Sequence, residues 1–274
     1  MATVAITGIT GLAGGHVGHA LRAAGHVVVG ISRRQSVEWE GQATCVVSDL
    51  TDPAALTTAL QGCDAILHFA DRADRRTYSE ADIDTAARML SAVRKAASAN
   101  GVRRIVAASS VYAERDDQSN DLYGRSKRAM EAVGLAKEPG AAALVLRLPP
   151  LHGAGAKGAV RHIARAVGKG WPLPFGLART PRRFLSLDAL ADLCLHLVEL
   201  EEAAFTRAAG QIWVPVNINH GSLSALARAL GNGRETRLLP VPGIDRLLGG
   251  RMPPGQLERD RDALLAAVGW QARD

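Results

Sequence analysis

Residues 4–25 read VAITGITGLAGGHVGHALRAAG, and this stretch decides the fold. The run at 4–8 is a short apolar strand that ends in glycine, and the run at 16–25 has helical spacing. Between them stand three glycines with the spacing GxxGxxG, namely Gly8, Gly11 and Gly14. Glycine lets the backbone approach a pyrophosphate closely, and the N-terminus of the next helix offers N–H groups and partial positive charge. The position of the glycines between a strand and a helix therefore predicts a dinucleotide-binding loop.

Strand and helix patterns go on alternating as far as residue 150. Further apolar strand patterns occur at 26–32, 43–50, 64–70, 103–110 and 142–148. Helix patterns lie after the cap Thr51-Asp52-Pro53, at 79–100 and from Tyr123 onward. This order builds a parallel sheet with right-handed crossovers, so we predict an α/β fold with a Rossmann-type, doubly wound parallel sheet.

The regularity weakens beyond residue 150, where Gly and Pro become frequent. We therefore predict a Rossmann domain over 1–150 that binds NAD(P). We predict a smaller substrate-binding lobe over 151–274, interleaved with the last strands of the sheet. Such a lobe would cover the carboxyl edge of the strands, where open α/β sheets bind ligands.

Composition and charge argue against several functional classes. The net charge is +6, but the basic residues are scattered as pairs and aromatic residues make up only 4%, which disfavours nucleic acid as a partner. No run of 18 apolar residues and no leader-like N-terminus is present, so we expect no membrane span and a cytoplasmic protein. The widely spaced Cys45, Cys63 and Cys194 are expected to be reduced core thiols. No cluster of Cys, His and Asp predicts a metal.

The residues after the second and third strands bear on the choice of cofactor. The second strand is followed by Arg33-Arg34, with no acidic residue before Glu38. Because guanidinium groups pair well with a 2′-phosphate, NADP(H) is preferred and NAD(H) stays open; two solvated arginines are the alternative. Asp49, followed by Leu50, could accept a hydrogen bond from the adenine amino group or could be a turn residue.

The stretch ASSVYAERDDQSNDLYGRSK at 108–127 holds the candidate catalytic residues. Tyr123 and Lys127 are four residues apart at the start of a predicted helix, so they lie on one face. The ammonium would stabilise the phenolate form of the tyrosine. Tyr112 instead has Asp116 four residues later, which would oppose ionisation, so the chemistry is assigned to Tyr123.

These motifs together resemble the extended short-chain dehydrogenases/reductases, the NAD-dependent epimerase/dehydratase family. The resemblance rests on GxxGxxG at 8–14, Asp49-Leu50, HFA at 68–70, Ser109-Ser110, YGRSK at 123–127 and RLPPLHGAG at 147–155. The later runs PLPFG and RRFLSLDALADL are similar to the bacterial nucleotide-sugar 4-epimerase and 4-ketoreductase branch. Asp71 departs from the pattern, which usually has a small residue there, and the segment between Ser110 and Tyr123 is shorter than usual.

The resemblance implies a role for each matched residue. Tyr123 would be the acid/base, Lys127 would hold the nicotinamide ribose, and Ser110 would polarise the substrate carbonyl. The implied cofactor contacts are Gly8, Thr10, Gly11, Leu12, Gly14, Arg33, Arg34, Asp49, Leu50, Phe69, Ala70 and Lys127. The candidate substrate contacts are Ser109, His152, Arg182 and Arg251, with the two arginines placed to bind a diphosphate and a loop role as the alternative for His152.

The implied activity is hydride transfer at a carbonyl or alcohol carbon of a nucleotide sugar, by a 4-ketoreductase or a 4-epimerase. The preference for NADP favours reduction, because an epimerase consumes no cofactor. Two alternatives stay open: reduction of a smaller, non-nucleotide carbonyl compound, which the short segment would suit, and a non-catalytic NADP-binding sensor. The resemblance is also compatible with a homodimer through the helix at 79–100 and the helix that carries Tyr123.

Overall fold

The computed structural model describes residues 1–33, 44–47, 49–71, 78–114, 121–137, 141–249 and 252–272. The chain forms two compact units, of which the first comprises Met1–Leu148 with Ala191–Trp213. The second comprises Pro149–Leu190 with Val214–Asp274. The chain thus passes from the first unit to the second after residue 148, and residues 191–213 belong to the first unit.

The described strands follow the predicted order along the chain. They are β1 (Thr3–Thr7), β2 (Val27–Ser32), β3 (Thr44–Val46), β4 (Ala65–His68), β5 (Arg104–Ser110), β6 (Ala142–Leu148), β7 (Leu151–His152), β8 (Leu185–Ser186) and β9 (Ile212–Trp213). Seven of them form one sheet in the order β3-β2-β1-β4-β5-β6-β9, and every pairing is parallel. The predicted Rossmann-type parallel sheet is confirmed.

The described helices alternate with these strands. They are α1 (Leu12–Ala23), α2 (Pro53–Ala59), α3 (Ile83–Ala99), α4 (Leu122–Leu135), α5 (Gly158–Gly168), α6 (Leu187–Glu199), α7 (Glu202–Ala208), α8 (Leu223–Leu230), α9 (Ile244–Leu248) and α10 (Gln256–Val268). As predicted, Asp52 caps α2 by accepting from Ala54 N, and Pro53 occupies its first position. Across the described ranges, no helix combines the length and the apolar character that crossing a bilayer requires.

The core of the first unit lies between the sheet and the helices that cover it. All four residues of β4 are buried, as expected for a parallel strand with both faces covered. One buried cluster contains Ile66 of β4 together with Leu56 of α2, Leu90 of α3 and Met130 of α4. The register aligns Thr7 of β1 with His68 of β4, so the carboxyl ends of these strands meet at one edge.

Three elements differ from the sequence prediction. Helix α1 begins at Leu12, four residues earlier than predicted, so Gly14 and Gly15 lie inside the helix. A side chain at Gly14 would collide with the Gly8 carbonyl. Glycine, a poor helix former in isolation, is needed there for close packing of the helix on the loop. Among the described residues β3 spans Thr44–Val46, and β9 has only two residues, too few to give a sequence pattern.

The second unit has its own small sheet and core. Strands β7 and β8 pair in parallel, with Leu151 opposite Leu185. Its buried apolar cluster is built from helices α5 and α8 and the segments near them: Ala156, Val160, Ile163, Leu173, Phe184, Leu226 and Ala227. The spacing of Val160 and Ile163 on α5 gives one apolar helix face, which packs into this cluster.

Candidate functional site

The glycine loop joins β1 to α1 by a backbone turn that only glycine adopts readily. Gly8 has φ +74°, in the left-handed region. A Cβ at this position would lie 2.8 Å from Ala70 N, so the loop packs directly on the backbone that follows β4. Gly11 N donates to Gly8 O at 2.9 Å and closes the turn. The predicted loop residues Gly8, Gly11 and Gly14 therefore form a compact cradle next to Ala70.

Helix α1 begins at this cradle and directs its first turn toward it. Gly11 is the N-cap residue, Leu12 is the first helical residue, and no acidic side chain stands in the first turn. The N–H groups of a helix start and its partial positive charge suit a pyrophosphate. The residues present thus fit a dinucleotide, with exposed Thr10 and half-buried Leu12 at the opening of the loop.

Two groups of residues are predicted to contact the adenine end of the cofactor: the arginine pair after β2, and Asp49 with Leu50. Arg33 directly follows β2 and is exposed, whereas Arg34 lies outside the described residues. Asp49 is also exposed, and its Oδ1 accepts from Thr51 N at 2.8 Å and from Thr51 Oγ1 at 2.7 Å. These hydrogen bonds hold the pKa of Asp49 below its usual range. Leu50 is buried in the core.

Helix α4 carries the candidate acid/base pair and is held at both ends. At its start, the Asp121 carboxylate accepts from Gly124 N at 3.2 Å. At its end, the buried Arg94 of α3 donates to the Gly134 carbonyl at 3.3 Å and to the Ala136 carbonyl at 3.0 Å. These contacts satisfy backbone groups that a helix end leaves unpaired. They fix the register of the helix on which the catalytic candidates stand.

The structure brings Tyr123 and Lys127 together as predicted. Lys127 Nζ lies 5.7 Å from the centre of the Tyr123 ring and donates to Ala108 O at 3.1 Å. Ser110, at the end of the same strand as Ala108, is buried, and its Oγ accepts from Tyr112 N at 3.4 Å. The three candidate catalytic residues thus come from the adjoining elements α4 and β5.

The carboxylate of Asp71, which departs from the sequence pattern of the family, lies beside Tyr123 and Lys127. Asp71 Oδ2 lies 2.6 Å from Lys127 Nζ, and Asp71 Oδ1 accepts from the Tyr78 hydroxyl at 2.5 Å. Burial alone would lower the pKa of Lys127, but Asp71, Tyr123 and Glu131 together raise it above its ordinary value. Lys127 is therefore a buried ammonium ion.

The chain's three tyrosines gather at this place. The Tyr78 and Tyr123 rings meet edge to face with centroids 5.3 Å apart, and Tyr112 meets Tyr123 in the same way at 5.8 Å. Such edge-to-face pairs are stabilising and fix ring orientation. Sequence reasoning missed Tyr78, since it is far from the other two along the chain.

His68 ends β4 next to this cluster and contains an unsatisfied buried atom. Thr7 Oγ1 and His68 Nδ1 lie 2.8 Å apart, while His68 Nε2 has no hydrogen-bond partner among the described residues. Burial and the Lys127 ammonium lower the pKa of His68 to about 4, although Asp71 acts in the opposite direction. The imidazole is therefore neutral near pH 7, and a bound molecule could satisfy its Nε2.

Ser109, a candidate substrate contact, makes a different interaction. Its hydroxyl donates to Glu131 Oε1 at 2.6 Å. Arg147 also donates to Glu131 through two bonds of 2.8 Å, from Nε and from Nη2. The Ser109 hydroxyl thus supports a buried ion pair between α4 and β6.

The other substrate candidates belong to the second unit. His152 is buried, and its Nε2 lies 3.0 Å from His220 Nδ1; burial and then His220 lower its pKa to about 4, although Asp188 opposes this. Arg182 donates to the Leu248 carbonyl at 3.3 Å and to the Gly249 carbonyl at 2.5 Å. Arg251 lies outside the described residues. Among the residues that are described, no group of three or more potential metal ligands occurs.

Comparison with known proteins yields a family and several relatives. Residues 4–208 match the sequence profile described as the NAD dependent epimerase/dehydratase family. A UDP-glucose 4-epimerase of Vibrio cholerae is 26% identical over 88% of this chain and 79% of its own length. A ceramide reductase of Caulobacter vibrioides is 31% identical over 88% of this chain and 74% of its own length.

The fold is also found in solved structures. The crystal structure of a UDP-N-acetylglucosamine 4-epimerase from Bacillus cereus superposes with a TM-score of 0.74. It covers all of this chain and 92% of its own, at 18% identity. At that identity the similarity concerns the fold alone.

Proposed function

Since the chain belongs to the NAD dependent epimerase/dehydratase family, we propose that it transfers hydride at a carbonyl or alcohol carbon of a nucleotide sugar. The observation that carries this proposal is the arrangement of Tyr123 and Lys127 on α4, with Ser110 at the end of β5. A phenol next to a buried ammonium ion is suited to exchange a proton with a substrate oxygen. The UDP-glucose 4-epimerase relative supports the substrate class.

Each residue of the site has a distinct task in this chemistry. The nicotinamide, when bound, exchanges a hydride with the substrate carbon. Tyr123 gives a proton to the carbonyl oxygen during reduction, or takes it from the hydroxyl during oxidation. Lys127 stabilises the phenolate by its charge, and the Ser110 hydroxyl orients the oxygen by hydrogen bonding. The glycine loop and the start of α1 hold the pyrophosphate.

The proposal includes a preference for NADP(H) over NAD(H). It is supported by Arg33, which is exposed directly after β2, where a guanidinium could pair with a 2′-phosphate. Arg34 is a second candidate donor by sequence, and Asp49 is assigned to the adenine amino group. The family description names NAD, so binding of both cofactors has to be measured in parallel.

Three residues beyond position 150 are proposed to contact the substrate. Arg182 and Arg251 are assigned to the diphosphate, since guanidinium groups bind phosphate oxygens in pairs of hydrogen bonds. His152 is assigned to the sugar as a neutral imidazole. A thermal-shift panel of UDP, dTDP and GDP sugars tests this part: at least one should raise the unfolding temperature, and no response to any would contradict a nucleotide-sugar substrate.

Reduction is the proposed direction, and epimerisation is the competing one. A reductase consumes one NADPH for each 4-ketosugar, whereas an epimerase interconverts two sugars with no net loss of cofactor. Stoichiometric loss of NADPH absorbance on adding a 4-ketosugar would support reduction. Cofactor that stays bound through purification, with sugar interconversion and no NADPH consumption, would establish epimerisation instead.

A second candidate function is reduction of a carbonyl group in a lipid. It is favoured by the 31% identity with the ceramide reductase of Caulobacter vibrioides. Five leucines exposed on the second unit are compatible with an apolar substrate: Leu177, Leu239, Leu247, Leu248 and Leu265. NADPH consumption with a ketone-bearing ceramide analogue, together with no response to the sugar panel, would make this the preferred function.

A further inference from the structure

Asp71 lies at the centre of the buried polar cluster around Lys127. One carboxylate oxygen is 2.6 Å from Lys127 Nζ, and the other accepts from the Tyr78 hydroxyl at 2.5 Å. The side chains of Lys127 and Asp71 are only 5% and 16% exposed, so water screens their charges weakly. A buried pair of this geometry holds both groups in place, because either one alone would be an uncompensated charge.

The two partners of Asp71 both contact Tyr123. Lys127 reaches it from the same helix, with Nζ 5.7 Å from the ring centre. Tyr78 reaches it from the segment before α3, with ring centroids 5.3 Å apart. A single carboxylate therefore fixes the cation that acts on Tyr123 and the ring that packs against it.

We propose that Asp71 is a positioning residue of the catalytic centre, which holds Lys127 and Tyr78 around Tyr123 and whose negative charge offsets part of the Lys127 charge. This inference rests on the proposed function, in which Tyr123 exchanges the proton. It explains why a carboxylate stands where the family pattern has a small residue.

The other charged and titratable groups near Lys127 do not obscure this effect. His68, on β4, is neutral near pH 7 because burial and the Lys127 ammonium lower its pKa to about 4, despite the opposing effect of Asp71. Glu131, one turn further along α4, is paired with Arg147 through two hydrogen bonds. Tyr112 packs against Tyr123 from the turn at Val111–Glu114. Removing the negative charge at Asp71 should therefore change the ionisation midpoint of Tyr123.

The test follows the ionisation of Tyr123 and needs no substrate. Tyrosinate absorbance of the protein with NADP⁺ is titrated from neutral to alkaline pH, and the same titration of Tyr123→Phe identifies the contribution of Tyr123. The chain has only three tyrosines, which keeps this difference simple. Asp71→Asn removes the charge with almost no change in shape. It should move the Tyr123 midpoint to lower pH by about one unit or more.

Two further variants separate charge from positioning. Asp71→Glu restores the charge and should return the midpoint toward that of the parent. Tyr78→Phe keeps the carboxylate and removes only the hydroxyl, so it should lower kcat by several-fold while KM stays the same. This variant keeps the proposal testable if Asp71→Asn folds poorly. Asp260→Asn, which takes a buried carboxylate from Arg183 in the second unit, is the matched control and should leave the Tyr123 midpoint unchanged.

An unchanged or raised midpoint in Asp71→Asn would overturn the electrostatic part of the proposal. Parent-like kcat in Tyr78→Phe would overturn the positioning part. Neither result would affect the proposed function, which is tested separately through the turnover of Tyr123→Phe. Conversely, a Tyr123→Phe variant with full turnover would refute the proposed function even if the titration midpoint moved as expected.

Discussion

Lys127 Nζ lies 5.7 Å from the centre of the Tyr123 ring, one turn further along α4, and donates to Ala108 O at the same time. The ammonium thereby connects the helix that carries the acid/base to the strand that ends in Ser110. Its pairing with Asp71 adds the end of β4 to this arrangement.

Gly8→Ala should abolish cofactor binding and reduce stability. The residue has φ +74°, and the new Cβ would lie 2.8 Å from Ala70 N. The left-handed conformation alone costs a non-glycine residue about 1–2 kcal/mol. Gly62→Ala is the matched control, because Gly62 has φ +71° and nothing within 4 Å of the added Cβ. Calorimetric titration with NADP⁺ and NAD⁺ should show loss of binding in the first variant only; equal binding by both would refute the cradle.

Arg33→Glu should shift cofactor preference from NADP toward NAD. Arg33 is exposed directly after β2, and a carboxylate there would repel a 2′-phosphate and accept from ribose hydroxyls. The ratio of the dissociation constants for NADP⁺ and NAD⁺ should change by about tenfold or more. Arg22→Glu, at the exposed end of α1, is the control for the change in net charge. An unchanged ratio would remove Arg33 from the cofactor site.

Glu131→Gln should strongly destabilise the first unit. The Glu131 side chain is 5% exposed and accepts two hydrogen bonds from Arg147 and one from Ser109. The Arg147 side chain is 22% exposed and also lies 3.7 Å from a Glu114 carboxylate oxygen, so the expected cost is about 1–3 kcal/mol, the range for unsatisfied hydrogen-bonding groups. Glu202→Gln breaks an exposed pair with Arg103 and should cost no more than about 1 kcal/mol. Urea unfolding measures both variants, and equal costs would mean that the Glu131 cluster is not a support of α4.

His68 should make stability depend on pH in the acidic range. The unfolded imidazole takes up a proton near its ordinary pKa of 6.5, whereas burial delays this in the folded chain to about 4. Between these values the unfolded state binds more protons, so the free energy of unfolding falls as pH falls, by roughly 3 kcal/mol in total. His68→Gln should flatten the curve of unfolding free energy against pH. His162→Gln, exposed on α5, should retain the parent curve; equal slopes in both variants would contradict the assignment.

The parts of the structure that sequence predicted are those set by local periodicity. Tyr123 and Lys127 are four residues apart, so a single helix brings them together whatever the rest of the chain does. The glycine loop likewise follows from one strand, one turn and one helix. The order of the parallel strands follows from the alternation of patterns and the handedness of crossovers.

The parts that sequence missed depend on contacts between distant segments. Asp71, Tyr78 and Lys127 meet because β4 and β5 are neighbours in the sheet, and no spacing in the sequence encodes that meeting. Asp71 could have been placed at the site from one signal, its position three residues after β4, since the carboxyl ends of neighbouring parallel strands share an edge. The orientation of Ser109 toward Glu131 had no such signal, because it requires the packing of α4 on β5.

The turnover of Tyr123→Phe with a substrate from the sugar panel tests whether Tyr123 is the acid/base. Loss of the phenol hydroxyl removes the proton donor and keeps the ring, so kcat should fall by about 10²–10⁴ while NADP⁺ still binds. Tyr112→Phe removes the same group from a tyrosine without a lysine partner one turn later and should keep turnover close to that of the parent. Near-full turnover in Tyr123→Phe would contradict the central claim that Tyr123 is the acid/base.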